Sequence, residues 1–399
     1  MRSVSLVLLS LALACGPLFA QTTPSAVTPP SLSSEQRKEI LKRSLVAKAE
    51  TARLARVFAK AERGERILVG VIGGSITQGA KATTPEKRYG NLVAQWWRDH
   101  FPKAEVTLLN AGIGATGSNF GALRARRDLL SKYPDFVIVE YSCNESDERQ
   151  SAVTMEGLVR QILQAPTSPA VMMLFMTRKN GTNAQAWHSK VGEHYHLPMV
   201  SFRDGIWPGC QSGAWKIEDF IADEVHPNDF GHELTAACIG HLLELARKKR
   251  ALNNSDGSLP APLFSGDFEF TSLQEANDLK PPKNQGWTLQ TVGKDAGWHA
   301  DQPGSAIEFE LKGTSLLFMS HVIRGAMGKA EVQVDDLPPK TIDGWFPGTW
   351  GGYRSTVVVA DGLDATKPHR VRVKLLEAKD AESTGNGFSI FGLGAAGVR

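Results

Sequence analysis

The stretch VGVIGGSITQGA, residues 69–80, carries an apolar strand directly into a turn that contains two glycines. Ser75 follows Gly73 and Gly74 with no residue between. Glycine has no Cβ, so it allows sharp turns and close approaches that other residues do not. A serine on such a turn is typical of a phosphate cradle, of a nucleophile or of a plain glycine turn.

Two common glycine-turn motifs do not fit this stretch. A P-loop has Lys and then Ser or Thr after its last glycine, and no such pair follows here. The nucleophile elbow of α/β-hydrolases is G-x-S-x-G, and Thr77 stands where its last glycine would be.

Short apolar runs alternate with helical patterns across residues 64–250. Such alternation predicts an α/β domain with a doubly wound, five-stranded parallel sheet of flavodoxin-like type, covered on both faces by helices. Ligands of such sheets bind at the carboxyl ends of the strands. The predicted strands are RILVGVIGG (66–74), AEVTLLNAG (104–112), PDFVIVEYS (134–142), SPAVMMLFMT (168–177) and LPMVSF (197–202).

The character of the sequence changes after residue 250. Residues 251–261 are polar with Gly and Pro, and they read as a linker. In residues 262–399, apolar and polar residues alternate in short runs separated by Gly, Pro and Asp, which predicts a C-terminal antiparallel β-sandwich of jelly-roll type. The clearest runs are SAIEFEL (305–311), SLLFMS (315–320), AEVQVDD (330–336), YRSTVVVA (353–360) and HRVRVKLLE (369–377).

The N-terminus predicts export. Residues 1–20 have one Arg, an apolar run and small residues at the end, as in a secretory signal peptide, so we expect a periplasmic or extracellular protein. Residues 21–63 form a Pro/Ser/Thr-rich lead and then one long helix or two short ones. No later segment is long and apolar enough to predict a membrane span.

Composition narrows the possible partners. The 399-residue chain carries a net charge of +3 without a basic block, so a nucleic-acid partner has no electrostatic support. After removal of the signal peptide, Cys143, Cys210 and Cys238 remain, and we interpret all three as core residues. No metal, cofactor or obligate protein partner is predicted.

The loop after the second strand, NAGIGATGS (110–118), leaves two interpretations open. Gly112, Gly114 and Gly117 match G-x-G-x-x-G, and Glu140 ends the next strand, where a ribose-binding acid would stand. This pattern favours a dinucleotide-binding oxidoreductase. The other interpretation is a loop whose backbone N–H groups point into an active site.

Two further motifs carry side chains suited to catalysis. Asn144 follows the third strand and can offer two N–H donors. Asp223 and His226 are three residues apart, just before the last helix, so the histidine could take a proton while the aspartate orients it. Both motifs are also common in turns and helix starts. A metal pair of His226 with His232 is disfavoured, because a spacing of six does not place both on one helical face.

The order Ser, Gly, Asn, Asp-x-x-His over about residues 66–250 resembles the SGNH branch of the GDSL esterase and lipase superfamily. Asp223-x-x-His226-Pro227 matches the family's last block in full. Gly74 stands where the family usually has Asp, and Glu145 follows Asn144 where Asp is usual. The family's second-block glycine falls on Ala115, or on Gly114 if the loop is shifted by one.

This resemblance implies a serine hydrolase. Ser75 would attack an ester carbonyl, with His226 as base and Asp223 as its partner. The oxyanion would receive the backbone N–H groups of Ser75 and of Gly114 or Ala115, together with the Asn144 side chain. An acyl-serine intermediate would follow, with no metal or cofactor.

The sequence favours a carbohydrate substrate. The glycine-rich segment DGWFPGTWGGYR (343–354) carries Trp345 and Trp350, whose flat faces suit sugar rings. An exported SGNH domain joined to a β-sandwich also resembles bacterial carbohydrate esterases that remove O-acetyl groups. We therefore predict an O-acetylesterase acting on an acetylated oligo- or polysaccharide. The alternatives are a short-chain lipid or aryl esterase, an inactive glycan-binding protein of the same fold, and the oxidoreductase named above. Because all four motifs precede residue 250, the β-domain is expected to be dispensable for hydrolysis of small esters.

Overall fold

The computed structural model describes residues 32–46, 52–249 and 258–398. The predicted signal peptide lies outside these residues, as do nearly all of the predicted flexible lead and most of the predicted linker. Two helices, α1 (Ser34–Arg43) and α2 (Ala52–Glu62), precede the first strand.

The first domain is built on one parallel sheet whose strand order is β2-β1-β3-β4-β5. Every residue of β1 is buried, as expected for a strand with a helical layer on each face. The five strands are β1 (Ile67–Gly73), β2 (Val106–Gly112), β3 (Phe136–Glu140), β4 (Ala170–Phe175) and β5 (Met199–Ser201). The predicted five-stranded parallel sheet is confirmed.

The helices that accompany this sheet range from 4 residues in α3 to 20 residues in α9. In the described part of the chain they are α3 (Ser75–Gln78), α4 (Tyr89–His100), α5 (Ser118–Asp128), α6 (Arg149–Leu163), α7 (Gln185–His194), α8 (Phe202–Ser212) and α9 (Asp229–Lys248). Helix α8 was not predicted from the sequence, because Pro208 and two glycines hide its helical pattern. A capping hydrogen bond from the Asp204 N–H to the Ser201 side chain starts it.

The second domain is an antiparallel β-sandwich, as predicted. One sheet has the order β13-β12-β15-β10-β7, and the other has the order β14-β11-β16-β9-β8 with β6 paired to β16. The strands are β6 (Thr271–Glu275), β7 (Lys283–Gln285), β8 (Thr288–Val292), β9 (Asp295–Ala300), β10 (Ala306–Leu311), β11 (Ser315–Val322), β12 (Lys329–Val334), β13 (Lys340–Asp343), β14 (Tyr353–Ala360), β15 (His369–Leu375) and β16 (Phe388–Ala396).

The two domains share an apolar core. Phe120 and Leu123 of α5 belong to the same buried cluster as Leu317, Met319 and Phe391 of the sandwich. Close packing requires small residues on β16: a Cβ on Gly394 would lie 2.4 Å from Leu123 Cδ1. The sheet that contains β11, β14 and β16 therefore lies directly on the helical layer of the first domain.

A buried carboxylate fixes the start of the β-domain on α6. Glu156 is fully buried and accepts backbone hydrogen bonds from Leu263 (2.5 Å), Phe264 (2.7 Å) and Ser265 (3.1 Å). The Tyr195 hydroxyl donates to the same carboxylate at 2.6 Å. The chain is thus held rigidly where it enters the sandwich.

Cys143, Cys210 and Cys238 are free thiols; Cys143 and Cys238 are buried in the core as expected, whereas Cys210 is only partly buried at its edge. Among the described residues, no helix combines the length and apolar character needed to cross a bilayer.

Candidate active site

Ser75 lies just past the carboxyl end of strand β1, as the first residue of α3. The short helix ends at Gly79, whose φ of 101° is left-handed. The Asn110 side chain donates to the Thr77 carbonyl (2.8 Å), and the Thr77 hydroxyl bonds to the Tyr89 hydroxyl (2.8 Å). These contacts hold the turn that presents Ser75.

The structure brings Asp223, His226 and Ser75 into one hydrogen-bonded relay. His226 Nε2 lies 2.8 Å from Ser75 Oγ, and His226 Nδ1 lies 2.9 Å from Asp223 Oδ2. The same segment starts α9, because Asn228 caps the helix by accepting from the Gly231 N–H (2.9 Å). Asp223 and His226 therefore belong to the hydrogen-bonded relay, whereas Asn228 starts the helix.

Asp223 is held as a carboxylate. Partial burial alone would raise its pKa, but hydrogen bonds from the Val225 and His226 N–H groups and from the His226 imidazole outweigh burial, and its pKa lies at about 2. Lys81 Nζ is 3.7 Å from Asp223 Oδ2. An ionised Asp223 fixes the His226 ring and favours a proton on Nδ1, which leaves Nε2 free to accept the Ser75 proton.

Backbone N–H groups without acceptors lie at and around Ser75. Among the described residues, the backbone N–H groups of Ser75, Gly114 and Ala115 have no acceptor. Gly114 lies against the serine, since a Cβ on Gly114 would be 3.7 Å from Ser75 Cβ. Ala115 is left-handed with φ 55°, so the loop turns sharply at the residue after Gly114.

Asn144 reaches the same place from the end of β3. Its carboxamide lies over Gly74: a Cβ on Gly74 would be 2.1 Å from Asn144 Oδ1. Arg178, on the loop after β4, donates to the carbonyls on both sides of Asn144, at 2.9 Å to Cys143 and 2.8 Å to Glu145. Asn144 is therefore fixed beside Ser75 by contacts from two loops.

The geometry does not support His232 as a metal ligand or Glu140 as a ribose-binding acid. His232 is buried within α9, where Nδ1 accepts from the Tyr89 N–H (3.3 Å) and Nε2 lies 3.1 Å from the Ala80 carbonyl. Glu140 is fully buried and accepts from the Ser142 N–H and hydroxyl, so it cannot reach a ribose. Burial raises the pKa of Glu140 to about 7 despite those hydrogen bonds. No group of three or more potential metal ligands occurs among the described residues.

A pocket of about 160 Å³ adjoins the loops that carry Ala115 and Asn144, and both domains line it. The first domain contributes Ala115 and Asn144 to its lining, and strand β14 contributes Tyr353 and Arg354. Trp350, 62% exposed, stacks on Tyr353 at a ring-centroid distance of 5.4 Å.

Trp345 is placed differently from Trp350. It pairs with Ile323 in an isolated bridge, it is only partly exposed, and its indole N–H is buried without a partner. Of the two predicted substrate-binding tryptophans, Trp350 presents the more open ring.

Comparison with known proteins places this geometry in a family. The model of the GDSL-like lipase/acylhydrolase family matches residues 71–234. A solved two-domain esterase (CEX) active on acetylated mannans is 31% identical, with a TM-score of 0.82 over 90% of this chain and 99% of that chain. The chain belongs to the GDSL-like lipase/acylhydrolase family.

Further comparisons agree with this assignment. The same esterase co-crystallised with mannopentaose is 30% identical, with a TM-score of 0.82 over 90% of this chain and 98% of that one. A search of curated protein sequences finds no match. The predicted family is confirmed, and the protein is a hydrolase of that family. The interpretation of Gly112, Gly114 and Gly117 as a dinucleotide-binding motif is therefore wrong.

The residues that brace the site and the start of the β-domain were not predicted from the sequence. Arg178, Tyr195 and Glu156 carry no motif, and strand β14 is remote in sequence from the loop it faces, as the 237-residue separation of the Asn119–Thr356 hydrogen bond illustrates. Among residues that brace the site, the sequence marks only Glu145, because it stands where the family pattern usually has Asp.

Proposed function

We propose that this protein is an exported serine O-acetylesterase that removes acetyl groups from an acetylated mannan or a related polysaccharide. The observation that carries the proposal is the relay from Asp223 through His226 to Ser75, with its 2.9 Å and 2.8 Å contacts. Export is supported only by the sequence of residues 1–20.

The reaction would proceed through an acetyl-serine. Ser75 Oγ attacks the acetyl carbonyl carbon while His226 Nε2 takes the hydroxyl proton. The N–H groups of Ser75 and of Gly114 or Ala115, with the Asn144 side chain, receive the developing oxyanion. The bond to the sugar oxygen breaks as His226 returns the proton to that oxygen. Water, deprotonated by His226, then releases acetate and restores Ser75.

The substrate class is supported by the shared pocket and by the solved relatives. The pocket beside Asn144 is lined mainly by polar groups and backbone, and the Trp350–Tyr353 pair continues from it as an aromatic surface. Aromatic faces next to hydrogen-bonding groups suit sugar rings. The similar solved esterase is described as active on acetylated mannans, which makes mannan the first polysaccharide to test.

Acetate release from a panel of esters tests this proposal. The panel contains acetylated mannan, xylan, xyloglucan, pectin and peptidoglycan, with acetyl and octanoyl esters of one chromogenic alcohol. We expect acetate from acetylated mannan and a preference for acetyl over octanoyl. Octanoyl preference without release from any polysaccharide would support a lipid or aryl esterase instead.

Trp350→Ala separates polysaccharide binding from chemistry. The variant should raise KM for the polysaccharide while leaving kcat on the small acetyl ester unchanged, because Trp350 does not touch the relay. Trp298→Ala is a control in the same domain, since Trp298 donates to the Ala276 carbonyl (3.1 Å) within the sandwich. Trp345→Ala should resemble Trp350→Ala only if its partly exposed ring also binds sugar.

A further inference from the structure

Glu145 joins the two loops that carry the candidate oxyanion donors. It directly follows Asn144, and its carboxylate reaches across to the start of α5. Glu145 Oε1 accepts from both the N–H and the hydroxyl of Ser118, each at 2.6 Å. Ser118 follows the loop of Gly114 and Ala115 by three residues, so one carboxylate ties both donor loops together.

The surroundings show that this contact is built into the core. The Glu145 side chain is only 10% exposed, and Ser118 is fully buried. The Ser118 hydroxyl also bonds to the Thr154 hydroxyl of α6 at 2.6 Å. A Cβ on Gly117 would lie 2.8 Å from Glu145 Oε1, so the glycine leaves room for the carboxylate.

The second carboxylate oxygen faces a buried histidine. His188 of α7 is fully buried, and its Nε2 lies 2.8 Å from Glu145 Oε2, although the direction of approach is not that of a hydrogen bond. The Glu145 carboxylate therefore has α5 on one side and α7 on the other. The backbone carbonyl of Glu145 also accepts a hydrogen bond from Arg178, at 2.8 Å.

We propose that Glu145 is a positioning residue, which holds Asn144 and the Gly114–Ala115 loop at the separation that the oxyanion requires. This role rests on the proposed esterase function. Loss of the carboxylate would free the Ser118 end of the loop, and the donors would no longer converge. Since donors of this kind act mainly in the transition state, kcat should fall while KM changes little.

Steady-state kinetics of Glu145→Ala on a small acetyl ester test the proposal. Loss of a whole oxyanion donor costs about 100- to 1,000-fold, so misplacement of donors should lower kcat by about tenfold or more, with KM within about twofold. Glu145→Gln should restore part of the loss, because its amide oxygen can still accept from Ser118. Glu148→Ala, an exposed glutamate on the same loop, is the matched control and should match wild type.

A double variant distinguishes positioning from a general loss of stability. Because part of the effect of Glu145 passes through Asn144, the kcat losses of Glu145→Ala and Asn144→Ala should combine to less than their product. Multiplicative losses, or a wild-type kcat for Glu145→Ala, would overturn the proposal. If Glu145→Ala does not fold, Ser118→Ala carries the same test, with a smaller kcat loss expected and a wild-type kcat as the contradicting result. A wild-type protein inactive on every ester would instead overturn the proposed function.

Discussion

Gly74 is a glycine because the Asn144 side chain occupies the space beside it. The resemblance to the GDSL family predicts Asp at this position, and the structure shows why a side chain does not fit here. The space that a Cβ would fill is taken by the Asn144 carboxamide, 2.1 Å from the Cβ position. Glycine therefore allows the proposed oxyanion donor to lie directly beside the serine turn.

Gly74→Ala should inactivate the enzyme without unfolding it. The new methyl group displaces the Asn144 side chain, so kcat should fall about 100-fold or more, as for loss of an oxyanion donor. The free energy of unfolding should change by only about 1 kcal/mol, since a short side chain moves rather than the backbone. Gly90→Ala is the control, because its Cβ would make an ordinary contact with Val71 at 3.5 Å. Full activity of Gly74→Ala would remove Asn144 from the oxyanion site.

The depressed pKa of Asp223 predicts that this carboxylate does not limit activity in weak acid. The folded pKa is about 2, below the usual value of about 3.9. Stability from the ionised carboxylate is therefore complete above the usual value and is lost only as pH falls towards the folded one. Activity lost between about pH 8 and 5 therefore cannot come from protonation of Asp223.

Activity and thermal unfolding measured together from pH 4 to 8 check this. Wild type should lose activity on acidification without a fall in its melting temperature, since protonation of buried Glu140 stabilises the fold below about pH 7. Asp223→Asn should have a lower kcat across the whole range, because the imidazole is no longer held in its working tautomer. Unfolding in step with the loss of activity would contradict the assignment.

Among the helices and strands, those with a regular sequence pattern could be predicted. The apolar runs of β1 and β3 and the alternating run of β15 show their strands directly. Strand β16 was missed because it is buried on both faces and rich in Gly and Ala, so neither alternation nor β-branched residues mark it. The relay residues stood out because each falls at a strand or helix end. The contact of Glu145 with Ser118 could not be predicted, since it depends on the distance between two loops.

Helix α6 should contribute strongly to stability through Glu156. Glu156→Ala leaves three backbone N–H groups and the Tyr195 hydroxyl without their acceptor, so the free energy of unfolding should fall by about 3 kcal/mol or more. Denaturant unfolding measures this loss. Exposed Glu193, on α7, gives the control variant Glu193→Ala. A change below about 1 kcal/mol would mean that the start of the β-domain is not held by this carboxylate.

Across the described chain, the two domains behave as parts of one folded unit. Phe120 and Leu123 on α5 are buried by the sandwich, and the Asn119 side chain donates to the Thr356 carbonyl of β14 at 2.8 Å. Helix α5 begins at Ser118, which Glu145 contacts. The β-domain therefore packs on the same helix that begins at the end of the Gly114–Ala115 loop.

Removal of the β-domain should therefore affect hydrolysis of every ester. Sequence alone predicts that a chain ending near residue 254 keeps its activity on small esters, because all motifs precede residue 250. The shared core changes this expectation: the truncated chain would expose the apolar face of α5 and should melt at a much lower temperature or aggregate. A soluble, folded truncation with wild-type kcat on a small acetyl ester would show that the sandwich serves only substrate binding.

The proposed reaction depends above all on Ser75 being a nucleophile that His226 and Asp223 activate. Peptide mass spectrometry after treatment with a fluorophosphonate tests this, because the reagent bonds covalently to an activated serine. An inactive, glycan-binding protein would carry no adduct on Ser75. We predict one adduct, on Ser75, that disappears in Ser75→Ala and forms much more slowly in a His226→Ala variant. An adduct on another serine, or none on Ser75 in a protein that releases acetate, would contradict the assignment.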